Sequence, residues 1–275
     1  MKLSSMKVVR ETCVAGKVID VTVRVSSGNH RNPRAKRMCI TRETVQKNND
    51  RIAAKRLARL LNAYCDSSWF HDTLTYAQEV SVELGMKIFI RFLARLRRKM
   101  KKAGMELMWI AAPEFKKRLH HHFITNAPVE MVREAWTEGL VLPRPMDEGP
   151  NYQRLAEYII KETVTTFREE NCPFKTRYSH SRNMKQPVPM VEQVSTRQLF
   201  EDPQPRKDYY LVKDSIRRFE HPVTGLEHLE YIMIAETEAP RIKKYYKGKP
   251  AREIDYGRYI NYEEEQLDLE DWLYL

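Results

Sequence analysis

The chain has 275 residues, 42% hydrophobic and 31% charged, with 48 Lys and Arg against 37 Asp and Glu for a net charge of +11. That length can bury a real core, and the composition excludes collagen, coiled-coil and low-complexity classes. Its apolar stretches are short and broken by charge, as in Lys87-Ile-Phe-Ile-Arg91, far below the roughly 20 residues that span a bilayer, so no membrane partner is expected. The four cysteines, Cys13, Cys39, Cys65 and Cys172, form no C-x-x-C pair. With no basic and apolar leader opening the chain, they point to a reducing, cytoplasmic setting.

Charge is unevenly spread. Residues 253–275 carry a net −7 and residues 1–252 a net +18. A body this basic suits polyanions, and the acidic tail reads first as a solvated end.

In chain order, residues 17–27 alternate valine with polar residues, the period of a half-buried strand. A basic loop follows, with Arg31, Arg34, Lys36 and Arg37 between the breakers Gly28 and Pro33. Thr41 is placed to cap a helix running to about Tyr64, with Ile52, Leu57, Leu60 and Leu61 as its apolar stripe and Arg51, Lys55, Arg56 and Arg59 as a cationic side. Residues 69–76 predict a central strand. Residues 86–102 space Ile88, Phe89, Phe92, Leu93, Leu96 and Met100 as a helix that covers a sheet and turns eight cations outward. A hairpin is predicted from 106–112 and 118–125, turning near Pro113. Pro128 and Gly139 bracket a short helix, a proline-rich loop spans 143–150, and a longer helix runs from about Tyr152 to Glu169. From Cys172 to Lys207 the chain reads as irregular, and residues 208–235 read as a second hairpin turning through Pro222-Val-Thr-Gly225.

The predicted chemistry gathers in two places. His120, His121 and His122 lie in the hairpin, so alternation puts His120 and His122 on one face and His121 on the other. At i and i+2 their Cα atoms stand about 6.5–7 Å apart, close enough for both rings to meet one divalent ion. An oxygen donor is also needed, and Glu114 is the nearest upstream acid, with Glu106 in reserve. In the later helix, Tyr158 and Lys161 are i, i+3 neighbours. A nearby cation favours the phenolate, the nucleophilic form of tyrosine.

A strand H-x-H followed 36 residues later by a helical Y-x-x-K resembles the HUH endonucleases, specifically the single-tyrosine rolling-circle replication initiators of phages and plasmids. Phe70-His-Asp-Thr-Leu-Thr-Tyr76 is similar to their first motif. Asn62-Ala-Tyr64 and Ser181-Arg-Asn-Met-Lys-Gln-Pro187 resemble further stretches of phage replication proteins. The likeness spans roughly residues 28–190. His121 departs from it, since the family pattern has a hydrophobic residue between the histidines.

The resemblance implies an α+β fold, a central antiparallel sheet with flanking helices, here followed by a C-terminal β-hairpin extension and the acidic tail. The nuclease domain is expected over 1–190 and the extension over 191–275. His120, His122 and Glu114 would hold Mg²⁺ or Mn²⁺, and Tyr158, aided by Lys161, would attack a scissile phosphate to leave a 5′-phosphotyrosyl link and a free 3′-OH. Single-stranded and duplex origin DNA would be gripped by Arg31, Arg34, Arg37, Thr73, Thr75, Arg182 and Lys185. No G-x-x-x-x-G-K-[ST] is present, so a host helicase and polymerase in a bacterial cytoplasm are the expected partners. Two alternatives stand beside this reading: a non-catalytic basic DNA-binding or plasmid-control protein, and a metal-dependent nuclease or phosphoesterase with no covalent step.

Overall fold

The structure, a computed structural model, describes residues 7–26, 43–115, 118–168, 176–222 and 225–236. The fold is α+β, with two antiparallel sheets and five helices among those residues. The loop carrying Arg31, Arg34 and Arg37, the Thr41 cap and the acidic tail lie outside the described residues. The chain divides into two compact units, one from residues before 64 and after 185, the other from 64–185.

In the first unit, β1 (Lys7–Ala15) and β2 (Val18–Ser26) form a hairpin, and helix α1 spans Glu43–Tyr64. Later come β8 (Met190–Val194), the short helix α5 (Arg197–Phe200), β9 (Tyr209–Leu211), β10 (Arg217–Glu220) and β11 (Glu227–Ala235). The sheet order is β10-β11-β2-β1-β8, with β9 also on β11. The N-terminal strands, expected ahead of the nuclease sheet, thus pair with the C-terminal segment expected as a separate extension. That segment adds three strands, not a two-stranded hairpin, and the stretch expected to be irregular supplies β8 and α5.

Alternation in β2 explains the pairing. Ile19, Val21 and Val23 face one way and bury with Leu229, Tyr231 and Met233 of β11 and with Leu199 and Tyr209. Asp20 and Thr22 face the other way, towards α1. The cations expected on a solvated side of α1 turn inward there. Arg59 meets Asp20 at 2.7 Å, Lys55 meets Asp20 at 3.0 Å and Glu230 at 3.1 Å, and Arg51 meets Glu230 at 2.6 Å. The sheet's carboxylates need counter-charges once α1 has covered them. Gly16, at φ +57°, turns the β1–β2 hairpin where a Cβ would lie 2.1 Å from the carbonyl oxygen of Asn62, so only glycine fits.

The second unit holds β3 (Phe70–Thr75), α2 (Val82–Lys102), β4 (Trp109–Phe115), β5 (Leu119–Thr125), α3 (Val129–Ala135), β6 (Val141–Pro145), α4 (Gln153–Arg168) and β7 (Ser179–His180). Its sheet order is β6-β3-β5-β4-β7. Two predictions change here. Pro113 is not a turn but sits inside β4, opposite His121 of β5. Part of the proline-rich loop becomes β6, an edge strand, where a missing N–H on the free side costs nothing.

The two faces of this sheet divide the work. One packs Leu74, Trp109, Ala111 and Phe123 against Phe89, Phe92, Leu93, Leu96 and Met100 of α2 and Val132 and Trp136 at α3. Each large side chain buried this way contributes roughly 1.5–3 kcal/mol. Ser81 caps α2, accepting from the Leu84 N–H at 3.2 Å. The predicted amphipathic pattern therefore holds: the apolar stripe is buried, and Lys87, Arg91, Arg97, Arg98, Lys101 and Lys102 are exposed. The opposite face carries Thr73, Thr75, His120, His122 and Glu114, and α4 packs over β4.

Candidate metal centre

The β4–β5 register sets Glu114 directly across from His120 and Ala112 across from His122. Directly opposed residues of an antiparallel pair share a face, so one carboxylate and two imidazoles converge. Glu114 Oε2 lies 3.0 Å from His120 Nε2 and 3.1 Å from His122 Nε2. One ligand atom from each of the three residues falls within 4.8 Å of the others, and Glu114 and His122 are buried while His120 is partly open. Two neutral nitrogens and a carboxylate oxygen around one point are a fitting donor set for a divalent ion. Glu106, the reserve ligand, precedes β4 and is not part of this group.

Both imidazoles are also held from behind. His120 Nδ1 lies 3.3 Å from the backbone oxygen of Arg118. His122 Nδ1 lies 3.0 Å from Nε2 of His71, a buried residue on β3. Burial, reinforced by His122 and Arg144, drives the His71 pKa down to about 3, so it is a neutral imidazole at physiological pH. His71 was not singled out in the sequence. Its signal is the alternation of His71, Thr73 and Thr75, which places all three on the metal-site face. Thr73 pairs with His122 and Thr75 with His120.

The first turns of α4 bury Ala156, Ile159 and Ile160 and leave Tyr158 and Lys161 exposed. The Tyr158 ring nevertheless meets His122, with centroids 5.8 Å apart and planes at 81°. The geometry thus brings together Glu114, His120, His122 and the ring of Tyr158. Arg182 and Lys185 are exposed on the segment after β7. The backbone N–H of Lys185 donates to the Tyr64 hydroxyl at 2.6 Å.

His121, on the other face, belongs to the core. Its ring stacks on Phe89 at 4.5 Å, and its Nε2 is 2.9 Å from the hydroxyl of Tyr76. That hydroxyl also lies 2.9 Å from the Gly85 carbonyl, to which only it can donate, so His121 Nε2–H donates to Tyr76. A histidine thus occupies an apolar position because one hydrogen bond satisfies it there. Asp72 is its unsatisfied counterpart. It is fully buried on the core face with neither carboxylate oxygen hydrogen-bonded, and burial, opposed by Arg133, lifts its pKa to about 7.

Fold and site together define an α+β protein whose antiparallel sheet carries a Glu-His-His group able to hold a metal ion beside a helical tyrosine. Residues 70–167 match the family model for replication-associated proteins of the ORF2 group. The match covers about a third of the chain and includes all the residues of the site, and it supports a replication initiator of the Rep type. Neither the curated proteins nor the solved structures yielded a match. No described helix is long and apolar enough to cross a membrane.

Proposed function

We propose that the chain is a single-tyrosine HUH-type initiator of rolling-circle replication, a metal-dependent endonuclease and strand transferase that nicks single-stranded origin DNA. The observation that carries this reading is the contact of the Tyr158 ring with His122, inside the span that matches the replication-associated family. Glu114, His120 and His122 are the residues that would hold Mg²⁺ or Mn²⁺. The bound ion would supply charge stabilisation at the scissile phosphate.

The chemical work of the chain is then carried by α4. The Tyr158 phenol loses its proton to solvent, and its oxygen bonds to phosphorus as the P–O3′ bond breaks. The departing 3′ oxygen takes up a proton to become a free 3′-OH, and the 5′ end stays on the enzyme as a phosphotyrosine. Because the phosphodiester is exchanged, not hydrolysed, a later 3′-OH can reverse the step and rejoin strands. Lys161, one turn along the same exposed side, balances charge on the phosphate.

Thr73 and Thr75 line the approach on the sheet, while Arg182, Lys185 and the loop cations Arg31, Arg34 and Arg37 grip phosphates, which makes binding strongly salt-dependent. Unwinding and extension would fall to a host helicase and polymerase in the bacterial cytoplasm. The test uses the full chain, Mn²⁺ and 3′-labelled single-stranded oligonucleotides tiled across the replicon that encodes it. A denaturation-resistant adduct on one oligonucleotide, lost in Tyr158→Phe, is expected. Cleavage without an adduct would mark a nuclease lacking the covalent step, binding alone a non-catalytic DNA-binding protein, and either result overturns the proposal.

A further inference from the structure

We infer that His71 is the positioning residue for His122, accepting a hydrogen bond from its Nδ1–H and thereby fixing the tautomer and ring orientation in which His122 Nε2 can bind a metal ion. The inference rests on the reading of Glu114, His120 and His122 as metal ligands and adds a fourth residue that touches none of the reacting atoms.

The argument is one of proton placement. Between His122 Nδ1 and His71 Nε2, 3.0 Å apart, one nitrogen carries a hydrogen and the other a lone pair. His122 Nε2 faces Glu114 and His120, so in the metal-bound form its lone pair is engaged and its proton must sit on Nδ1. His71 Nε2 is therefore the acceptor, and the His71 proton sits on its own Nδ1. His120 shows the same arrangement with an ordinary acceptor, since its Nδ1 faces the Arg118 carbonyl. Metal-binding histidines are regularly held through the nitrogen that does not bind metal. At His122 an imidazole takes the place of the usual carboxylate or carbonyl.

The fold leaves His122 little choice of partner. Thr73 is directly across from it on β3 and Ala112 on β4. His71, two residues along β3 from Thr73, reaches over with its ring centroid 5.2 Å from that of His122 at an interplanar angle of 39°. Among the described residues His71 is the hydrogen-bond partner of His122 Nδ1. A neutral acceptor also leaves Glu114 as the single formal charge among these four side chains.

The experiment titrates Mn²⁺ into the full chain, following free Mn²⁺ by electron paramagnetic resonance, with thermal melting of the metal-free protein as the control for folding. His71→Leu, which keeps bulk but removes the acceptor, is expected to weaken Mn²⁺ binding on the order of 10–100-fold. His71→Gln, whose amide oxygen can accept, is expected to recover most of that loss. A folded His71→Leu that binds Mn²⁺ as the wild type does overturns the inference, as does a His71→Gln no better than His71→Leu. Glu114→Ala serves as the reference: if it also binds Mn²⁺ normally, the metal reading has failed, whereas loss in Glu114→Ala alone rejects only the role of His71. Should His71→Leu not fold, imidazole ¹⁵N spectra of the wild-type protein with Mg²⁺ still decide. A proton on Nδ1 of both His122 and His71 is expected, and a proton on His71 Nε2 refutes the assignment.

Discussion

Tyr158 stands edge-on to His122, their ring centroids 5.8 Å apart, although the two residues belong to different elements and Tyr158 is 44% exposed. An exposed aromatic against a buried candidate ligand is accessible to a DNA strand and close to the place where a phosphate would be polarised. Replacing it with phenylalanine removes only the hydroxyl. Tyr158→Phe is expected to abolish the covalent adduct, change oligonucleotide affinity by no more than a few fold and leave stability within about 0.5 kcal/mol. Gel analysis of the denatured reaction, a binding titration and a thermal melt measure the three.

His122 bonds to Glu114 on one side and His71 on the other. His122→Ala breaks both, so Mn²⁺ affinity should fall by more than the roughly 10–100-fold typical when a ligand loses its supporting partner. Nicking should disappear, while duplex binding stays within a few fold. Simultaneous loss of duplex binding and of the melting transition would assign His122 a folding role instead.

His121→Leu tests the other face of the same strand. The Tyr76 hydroxyl keeps its bond to the Gly85 carbonyl, so one hydrogen bond is lost and the cost should be about 1 kcal/mol. Adduct yield should be unchanged. A large fall in yield from a protein that still melts cooperatively would show that His121 communicates with the site.

Asp72 supplies a pH dependence. Its pKa of about 7 in the fold lies above the ordinary 3.8. Its contribution to stability is therefore intact below pH 3.8, declines as pH rises and is fully lost above about 7. The loss is on the order of 4 kcal/mol at most. Asp72→Asn removes the ionisation, so the variant should gain on the wild type between pH 5 and 9 in thermal melts. Parallel curves for the two proteins would contradict this.

Glu230 has the opposite sign. Burial resists its ionisation, but Lys55 and Arg51 outweigh that and hold its pKa down to about 2, against an ordinary 4.5. The stabilisation is present above pH 4.5 and is lost as pH falls towards 2. It amounts to roughly 3 kcal/mol. Glu230→Gln leaves Arg51 and Lys55 short of a counter-charge and should cost about 3 kcal/mol at pH 7, with a flatter acid limb in its unfolding curve.

Much of the candidate site can be read along the chain because it rests on short-range periodicity. A strand sends His120 and His122 one way and His121 the other wherever it is placed. A helix sets Tyr158 and Lys161 side by side whatever it packs on. The register Glu114↔His120 is less legible: placing the turn at Pro113 leaves Glu114 in a loop, while continuing β4 through Pro113 to Phe115 puts its carboxylate opposite the imidazole. His71 escapes notice for a related reason. Its place on a face is readable, but its partner on β5 depends on pairing residues 51 positions apart.

The cations of α1 show the same boundary. Charge alone marks Arg51, Lys55 and Arg59 as candidates for a solvated, DNA-facing side, and the structure turns them towards Asp20 and Glu230. Glu230 lies 175 residues beyond Lys55, so no local pattern could announce the pair. From sequence alone come the α+β class, the helix and strand periods, and which side chains share a face, all properties of a backbone repeat a few residues long. Strand register, the pairing of the N-terminal hairpin with the C-terminal strands, and the turning of basic side chains inward belong to the tertiary structure. There, distant segments compete to bury the same apolar surface, and the winning arrangement decides which charges must then be matched.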